Sequence, residues 1–219
     1  DLLESRGLGD VYKRQVKLAS MLDSIKQKLE QINLIEVTKY KKAGVLILLL
    51  NDIETNKIQI LYTKRSSKLS THSGEVSFPG GMWEEEDASL LDTAMRESNE
   101  EIGLKISNVE MLGKLNYLLS RHKIEVNPYV GYLMNRQEFI GNFEIEEIFT
   151  VPLTFLLDNN NVIYKEFKRN DLKMSMPSWV YNGHRIWGLT ALITADFLNI
   201  CYEANINTDI DLIRGYDQY

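Results

Sequence analysis

The segment that decides the fold runs from Phe78 to Leu104 and reads FPGGMWEEEDASLLDTAMRESNEEIGL. From Asp87 to Ile102 its buried positions recur every three or four residues, as on one face of a helix, at Leu91, Met95, Ser98 and Ile102. We expect a tight glycine turn over residues 78–81 and a helix end at Gly103, because glycine adopts the left-handed conformation at low cost. Asp87 is predicted to cap the first turn of the helix.

Three carboxylates lie beside this face, on Glu97, Glu100 and Glu101. On a helix they fall within an arc of roughly 100°, so they repel one another unless a cation lies between them. Such hard oxygen ligands suit Mg²⁺ or Mn²⁺, whereas zinc prefers His and Cys. Glu97 and Glu101 are one turn apart and are best placed to share the ion. The alternative is a solvated acidic face.

The order of these residues resembles the signature of the Nudix hydrolase family, in which a glycine precedes the run Arg-Glu-apolar-x-Glu-Glu-x-Gly-apolar. The matching residues are Arg96, Glu97, Glu100, Glu101, Gly103 and Leu104. Ser98 departs from the pattern by replacing the usual apolar residue, and the spacing from Gly81 to Arg96 is one residue longer than in the commonest form. The resemblance implies an α/β fold, a Nudix-type α/β/α sandwich around a mixed β-sheet.

Residues upstream resemble the additional signature of the coenzyme A diphosphatase branch of that family, roughly LLTxRS, Arg, Gly, FPGG. The substrate-binding residues that this resemblance implies are Thr63, Arg65, Ser66, Gly74, Phe78, Gly80 and Gly81. Tyr62 replaces a leucine of the signature, and Ser70 stands where the signature has Arg. Further similarity to the branch occurs in residues 127–131, 143–157 and 186–191, so that the resemblance covers roughly residues 35–203.

The resemblance implies a metal-dependent enzyme that cleaves the diphosphate bond of coenzyme A or acyl-CoA to 3′,5′-ADP and 4′-phosphopantetheine. Mg²⁺ or Mn²⁺ would be held by the three glutamates, where it polarises a phosphoryl oxygen and acidifies bound water. Arg96 lies four residues before Glu100 and is placed to orient that carboxylate; the alternative is a surface ion pair. Glu144 is the candidate general base or additional ligand, with Glu146 and Glu147 as rivals.

Two other functions stay open at this point. The same chemistry would act on another nucleoside diphosphate derivative, such as ADP-ribose or a dinucleotide, and Ser70 keeps that reading open. A non-catalytic module that senses a nucleotide is the third alternative. The intact set of three glutamates argues against it, because a binding module does not need a cluster of repelling charges.

The composition limits the partners. The 219 residues carry a net charge of −6, which argues against nucleic acid or an anionic membrane as a partner. The partner that the resemblance implies is a small-molecule substrate. Lys64, Arg65 and Lys68 supply local positive charge for a polyanion. The single cysteine, Cys201, cannot form an internal disulfide and is expected in the core. With no signal peptide or membrane span evident, we expect a cytoplasmic protein, and a homodimer is left open.

The chain divides into four parts. Residues 1–15 are interpreted as a non-native tail, because Asp10 to Gln15 reads as the translated end of a common sequencing adapter. Residues 16–34 are predicted to form a helix that packs on the core. The hydrolase domain occupies residues 35–203, and residues 204–219 are predicted to be a polar tail that frays.

Several residues and segments carry individual predictions. Ala43 to Leu50 is expected to be a strand buried on both faces, paired as a hairpin with Ile58 to Arg65. Pro128 is expected at a sheet edge or a bulge. Trp83 and Trp179 are candidates for stacking on adenine, with core packing as the alternative. Among the histidines, His72 is expected to face the substrate, with a packed or solvent-facing role as the alternative. His122 and His184 are expected in loops.

Overall fold

The computed structural model describes residues 2–35, 39–52, 54–68, 74–169 and 172–210. The helices are α1 (Leu2–Glu30), α2 (Leu90–Ile102), α3 (Leu153–Leu156) and α4 (Gly188–Tyr202). The strands are β1 (Lys41–Asp52), β2 (Lys57–Arg65), β3 (Val76–Ser77), β4 (Gly80–Met82), β5 (Val109–Lys114), β6 (Leu118–Leu119), β7 (Ile124–Leu133), β8 (Ile145–Pro152), β9 (Ile163–Arg169), β10 (Leu172–Tyr181) and β11 (His184–Ile186).

Strand β1 lies at the centre of the main sheet. It pairs antiparallel with β2 and β4 on one side and parallel with β7 on the other. Strand β8 extends the sheet beyond β2, and β5 and β6 extend it beyond β7. One parallel pair among antiparallel ones makes the sheet mixed, as predicted. The continuous apolar sequence of β1 follows from this place, since a central strand is covered on both faces.

The two faces of β1 contribute to two separate cores. Ile47 and Leu49 pack with α1, α4 and the adjoining strands, whereas Leu46 and Leu48 pack against α2. Alternate residues of a strand point to opposite faces, so one run of leucine and isoleucine serves both cores. The predicted arrangement of helices on both sides of a mixed sheet is therefore confirmed.

A second, three-stranded sheet is formed by β9, β10 and β11, and β10 and β11 are joined at Asn182-Gly183. Trp179 in β10 is fully buried in the larger core. His184, predicted to be a loop residue, lies in β11 instead. Its ring stacks on Phe149 of β8 at 4.0 Å, and its Nε2 is 3.2 Å from Glu147. The small sheet is thereby held against the edge of the main sheet.

Helix α2 begins three residues later than predicted. Its N-cap is Ser89, whose hydroxyl accepts from the amide of Asp92. Asp87 is therefore not the cap, and its carboxylate binds Arg96 instead. At the other end the prediction is confirmed, because Gly103 has φ 67° and its amide donates to Asn99 O.

Pro128 is neither at a sheet edge nor in a bulge of its own strand. It lies within β7, which has β1 on one side and β5 and β6 on the other. The physical reason is a break in the partner strand. Lys114 is paired with Tyr129 and Leu118 with Val126, so the gap between β5 and β6 lies opposite Pro128 and no ladder donor is required there.

The chain ends differ from the predictions in extent. Helix α1 runs from Leu2 through the segment interpreted as adapter-encoded and stops at Glu30, and the origin of residues 1–15 stays a prediction. Ile206 and Ile210 are buried in the core, so the fraying tail is wrong for residues 204–210. Residues 211–219 lie outside the described residues. Across the described parts, none of the helices combines the length and apolarity that a membrane crossing requires.

Candidate active site

The tight turn predicted over residues 78–81 is wrong for its glycines, because Gly80 and Gly81 begin strand β4 and pair with β1. This segment, residues 78–81, is called the glycine turn below, and it meets α2 with almost no space between them. Gly80 donates its amide to Glu101 Oε2 at 3.0 Å. A Cβ atom at Gly81 would lie 2.4 Å from Glu97 Cδ, and one at Gly80 would lie 2.3 Å from Gly44 O. Any side chain at these positions would collide with a carboxylate or with the backbone of β1. The glycines are there because the turn must touch the helix.

The three predicted metal ligands have three different environments. Glu101 is buried, and burial raises its pKa to about 7, although the Gly80 amide and Arg65 act in the opposite direction. Glu97 is half-buried, and burial raises its pKa against the lowering effect of Arg96. Glu100 is exposed. A cation would therefore be favoured most by Glu101 and Glu97, whose charges are the most costly to bury.

The guanidinium of Arg96 is held by Asp87 through two nitrogens, and its third nitrogen contacts the glutamates. Its Nε and Nη2 donate to the two oxygens of Asp87 at 2.8 and 3.0 Å, a bidentate pair. Its Nη1 lies 3.1 Å from Glu97 Oε1 and 3.5 Å from Glu100 Oε1. The predicted contact with Glu100 exists, but the contact with Glu97 is shorter. From the sequence alone, Asp87 was predicted only to cap the helix.

Glu144 lies in the turn before β8, and the fold brings its carboxylate to the site. Its Oε2 accepts from Arg65 Nη2 at 3.0 Å, and Arg65 Nη1 lies 3.6 Å from Glu101 Oε1. The rivals are occupied elsewhere, Glu146 with Lys64 and Glu147 with His184. Arg65 and Glu144 are 79 residues apart, so spacing gave no sign that they meet.

The donor set suits a hard divalent ion, since carboxylate oxygens are its preferred ligands. Glu97 and Glu101 press against the glycine turn, and Glu144 lies across Arg65 from Glu101. Within the described residues, however, no three His, Cys, Asp or Glu side chains converge as a ready metal site. The carboxylates are paired with arginines instead. Metal ligation by Glu97, Glu100 and Glu101 stays a prediction.

The predicted substrate-binding residues divide into framework and surface. Thr63 and Phe78 are buried: the Thr63 hydroxyl donates to Ser77 O at 3.2 Å, and Phe78 stacks on Tyr62 at 5.0 Å. In this structure both side chains hold the strand pair, and substrate binding by them stays a prediction. Gly74 has φ 71° and donates its amide to Arg65 O, which ties the residues before β3 to the end of β2. Ser70 and His72 lie outside the described residues.

Ser66 completes the junction at the end of β2. Its amide donates to Glu144 O at 2.6 Å, which ties the strand carrying Arg65 to the turn carrying Glu144. His122 lies in the turn before β7, as expected. The two tryptophan candidates differ. Trp179 is fully buried, so adenine stacking is wrong for it, whereas Trp83 is 45% exposed and its Nε1 donates to Asp87 O.

Comparison with known proteins agrees with this site. The NUDIX domain matches residues 40–163, more than half of the chain. The chain is 40% identical over 172 residues to Nudix hydrolase 15, mitochondrial, of Arabidopsis thaliana, covering 75% of this chain and 60% of that relative. It is 36% identical over 140 residues to the mitochondrial coenzyme A diphosphatase NUDT8 of Mus musculus, covering 62% of this chain and 67% of that relative.

The chain thus spans less than two thirds of the length of the Arabidopsis relative. A crystal structure of a MutT/nudix family protein from Enterococcus faecalis superposes with a TM-score of 0.51 at 19% identity, covering 86% of this chain and 70% of that one, which supports the fold alone. The resemblance read from residues 78–104 and from the segment upstream is confirmed. The chain belongs to the Nudix family.

Proposed function

We propose that this chain is a divalent-metal-dependent hydrolase that cleaves the diphosphate bond of coenzyme A or acyl-CoA. The observation that carries the proposal is the contact of Glu97 and Glu101 with the glycine turn, together with Arg65, which lies between Glu101 and Glu144. The match to a coenzyme A diphosphatase supports the choice of substrate. So does the upstream segment around Arg65.

Each group at the site has a task in such a reaction. Glu97, Glu100 and Glu101 would hold Mg²⁺ or Mn²⁺, which when bound neutralises phosphate charge and lowers the pKa of water. Arg65 is placed to bind the diphosphate, because a guanidinium matches phosphate oxygens bidentately. Glu144 is placed to accept the proton of the attacking water, close to Glu101 but more exposed. The products would be 3′,5′-ADP and 4′-phosphopantetheine or its acyl form.

Arg96 acts through another residue in this scheme. Its guanidinium, clamped by Asp87, donates to Glu97 and keeps that carboxylate turned toward the glycine turn. It is therefore a positioning residue. Its contribution is geometric, because a ligand displaced by about 1 Å costs a large factor in rate.

The test is a hydrolysis assay with purified protein, Mg²⁺ or Mn²⁺, and a panel of coenzyme A, acetyl-CoA, ADP-ribose and a dinucleoside polyphosphate, with products separated by chromatography. We expect coenzyme A or acetyl-CoA to be turned over fastest. Preferred turnover of ADP-ribose would instead support the reading that Ser70, in place of Arg, keeps open. Binding without turnover across the panel would contradict enzymatic function.

Three variants locate the chemistry. Glu97→Gln and Glu101→Gln should each lower turnover by about 10²–10³-fold, as expected for loss of a main electrostatic stabiliser. Glu85→Gln is the matched control, because this glutamate is exposed and lies on the loop before α2. Parental rates in the first two variants would remove the basis of the proposal.

A further inference from the structure

Arg65 holds an unusual position at the end of β2. Its guanidinium lies between two carboxylates, with Nη2 3.0 Å from Glu144 Oε2 and Nη1 3.6 Å from Glu101 Oε1. The pairing of β2 with β8 shifts in register between Lys64 and Arg65. Lys64, the preceding residue, makes its ion pair with Glu146, away from the site.

The guanidinium of Arg65 does not form all the hydrogen bonds that it could donate. The contact with Glu101 is too long for a hydrogen bond. Its Nε is buried and has no acceptor among the described residues. Glu101 itself is held by the Gly80 amide rather than by Arg65. Arg65 therefore compensates the charge of two carboxylates without satisfying all of its own donors, so the pair is held together by charge more than by hydrogen-bond geometry.

Two positive charges cannot both be accommodated at this place. A divalent ion bound to Glu101 would approach the guanidinium within a few ångströms, where like charges repel strongly at the low effective dielectric of a partly buried site. Either the ion is excluded or the arginine moves. Arg65 has room to move, because its side chain is 23% exposed and ends a strand.

We infer that Arg65 occupies the cation position between Glu101 and Glu144 in the metal-free protein, and that a divalent ion binding at Glu101 displaces it toward the substrate. The freed guanidinium then has a new anionic partner, the diphosphate, and this second half rests on the proposed function. Metal binding and diphosphate binding are thereby coupled through one side chain. Such coupling is reciprocal, so the diphosphate also favours the metal.

Mn²⁺ binding to the metal-free protein tests the inference without any turnover. Free Mn²⁺ is counted by electron paramagnetic resonance during titration of the wild type, Arg65→Gln, Arg65→Lys and Lys64→Gln. We expect Arg65→Gln to bind Mn²⁺ about tenfold tighter, because the internal competitor is gone, and Arg65→Lys to stay near the wild type. Lys64→Gln is the matched control. It removes the same charge from the adjacent residue, without touching Glu101 or Glu144, and should change the affinity less than about twofold.

A second measurement separates this role from a structural one. At saturating metal, Arg65→Gln should raise KM for the diphosphate by roughly tenfold or more, opposite in direction to its effect on Mn²⁺. Urea unfolding of each variant confirms that the compared proteins are folded.

The outcomes are distinguishable. An unchanged or weaker Mn²⁺ affinity in Arg65→Gln, or an equal gain in Lys64→Gln, overturns the inference while leaving hydrolysis by the wild type intact. A tighter Mn²⁺ site in Arg65→Gln, in a protein that hydrolyses nothing in the panel, supports the displacement and refutes the proposed function. The absence of a saturable Mn²⁺ site in the wild type overturns the inference outright.

Discussion

At the scale of single residues, Asp87 is the side chain whose role changes most between sequence and structure. It accepts two hydrogen bonds from Arg96, one from the Thr93 hydroxyl and one from the Glu84 amide. The Arg96 guanidinium holds the pKa of this carboxyl well below its usual range. One buried carboxylate thus fixes both the loop before α2 and the arginine that orients Glu97.

Asp87→Asn keeps the shape and removes the charge, so that the partly buried Arg96 loses its bidentate carboxylate partner. We expect a loss of about 2–4 kcal/mol in the free energy of unfolding, measured by urea denaturation, together with a fall in turnover of about tenfold. Glu84→Gln serves as the control, since this exposed residue is 4.0 Å from Arg96 and should change little. Equal stability of Asp87→Asn and the wild type would show that the ion pair between Asp87 and Arg96 is not needed for stability.

Glu101 makes the metal-free protein sensitive to pH. Its pKa is raised to about 7 by burial, against an unperturbed value near 4.3 in the unfolded chain. The folded state therefore holds a proton that the unfolded state releases, and stability falls as pH rises from about 4.5 through 7. Glu101→Gln removes this dependence.

The measurement is urea unfolding in the presence of a chelator at several pH values. The difference in unfolding free energy between Glu101→Gln and the wild type should grow with pH through that window, to on the order of 1–3 kcal/mol. A difference that is flat across the window would mean that Glu101 titrates normally. Saturating Mg²⁺ should reduce the difference at neutral pH, because the ion stabilises the charged carboxylate.

At the scale of elements, the contact between the glycine turn and α2 sets the geometry of the site. The two glycines face different neighbours. Gly81 faces the carboxylate of Glu97, the flexible end of a side chain, whereas Gly80 faces Gly44 O and Val45 Cα, which are backbone atoms. Gly80 also has φ 145°, a conformation that residues with a side chain rarely adopt.

The glycine pair therefore predicts a separation of activity from stability. Gly81→Ala should push Glu97 aside, lowering turnover by about 10²-fold with a change in Tm of a few degrees at most. Gly80→Ala should destabilise the fold by several kcal/mol or prevent folding, because the backbone atoms of β1 cannot move aside for the added Cβ. Thermal unfolding and the hydrolysis assay check both. Retention of full activity in Gly81→Ala would show that Glu97 need not stay where it is.

At the scale of the whole molecule, the main sheet and α4 are joined by a buried polar contact. Tyr62 Oη and Thr194 Oγ1 are 3.0 Å apart, and Thr194 donates its own hydroxyl to Thr190 O. The tyrosine is therefore the donor of the pair. Tyr62 also stacks between Phe78 and Phe149. The residue that replaces a leucine of the family signature has thus gained a partner on another element.

Thr194→Val leaves the Tyr62 hydroxyl buried and unpaired, which should lower the free energy of unfolding by about 1–3 kcal/mol. Tyr62→Phe removes the buried hydroxyl, so that no hydrogen-bond partner is needed at this place. In the double variant the cost should be clearly less than the sum of the two single costs. Urea unfolding of the four proteins gives the coupling, and additive effects would show that the contact contributes nothing to the joint between sheet and helix.

The fold and the site differ in how far the sequence predicts them. Local signals predicted β1, β2, the helix through Ile102 and its end at Gly103, because each depends on the pattern or chemistry of neighbouring residues. The start of α2 was misplaced because Asp and Ser are both favourable N-cap residues. Asp87 pairs with Arg96, two turns into the helix, and Ser89 is left as the cap. Pro128 was misplaced for the same kind of reason, because the break that tolerates it lies in another strand.

What the sequence by itself determined is the set of groups: a pair of glycines, an acidic helix, and the family to which such a helix belongs. Their relation in space was decided by the tertiary structure. Arg65 ends β2, Glu101 lies near the end of α2, and Glu144 lies in the turn before β8. Only the pairing of the strands brings these three side chains within reach of one another. Burial of Glu101, and with it the raised pKa of its carboxyl, exists only once those elements have packed, because desolvation is a property of the whole surroundings and not of the residue.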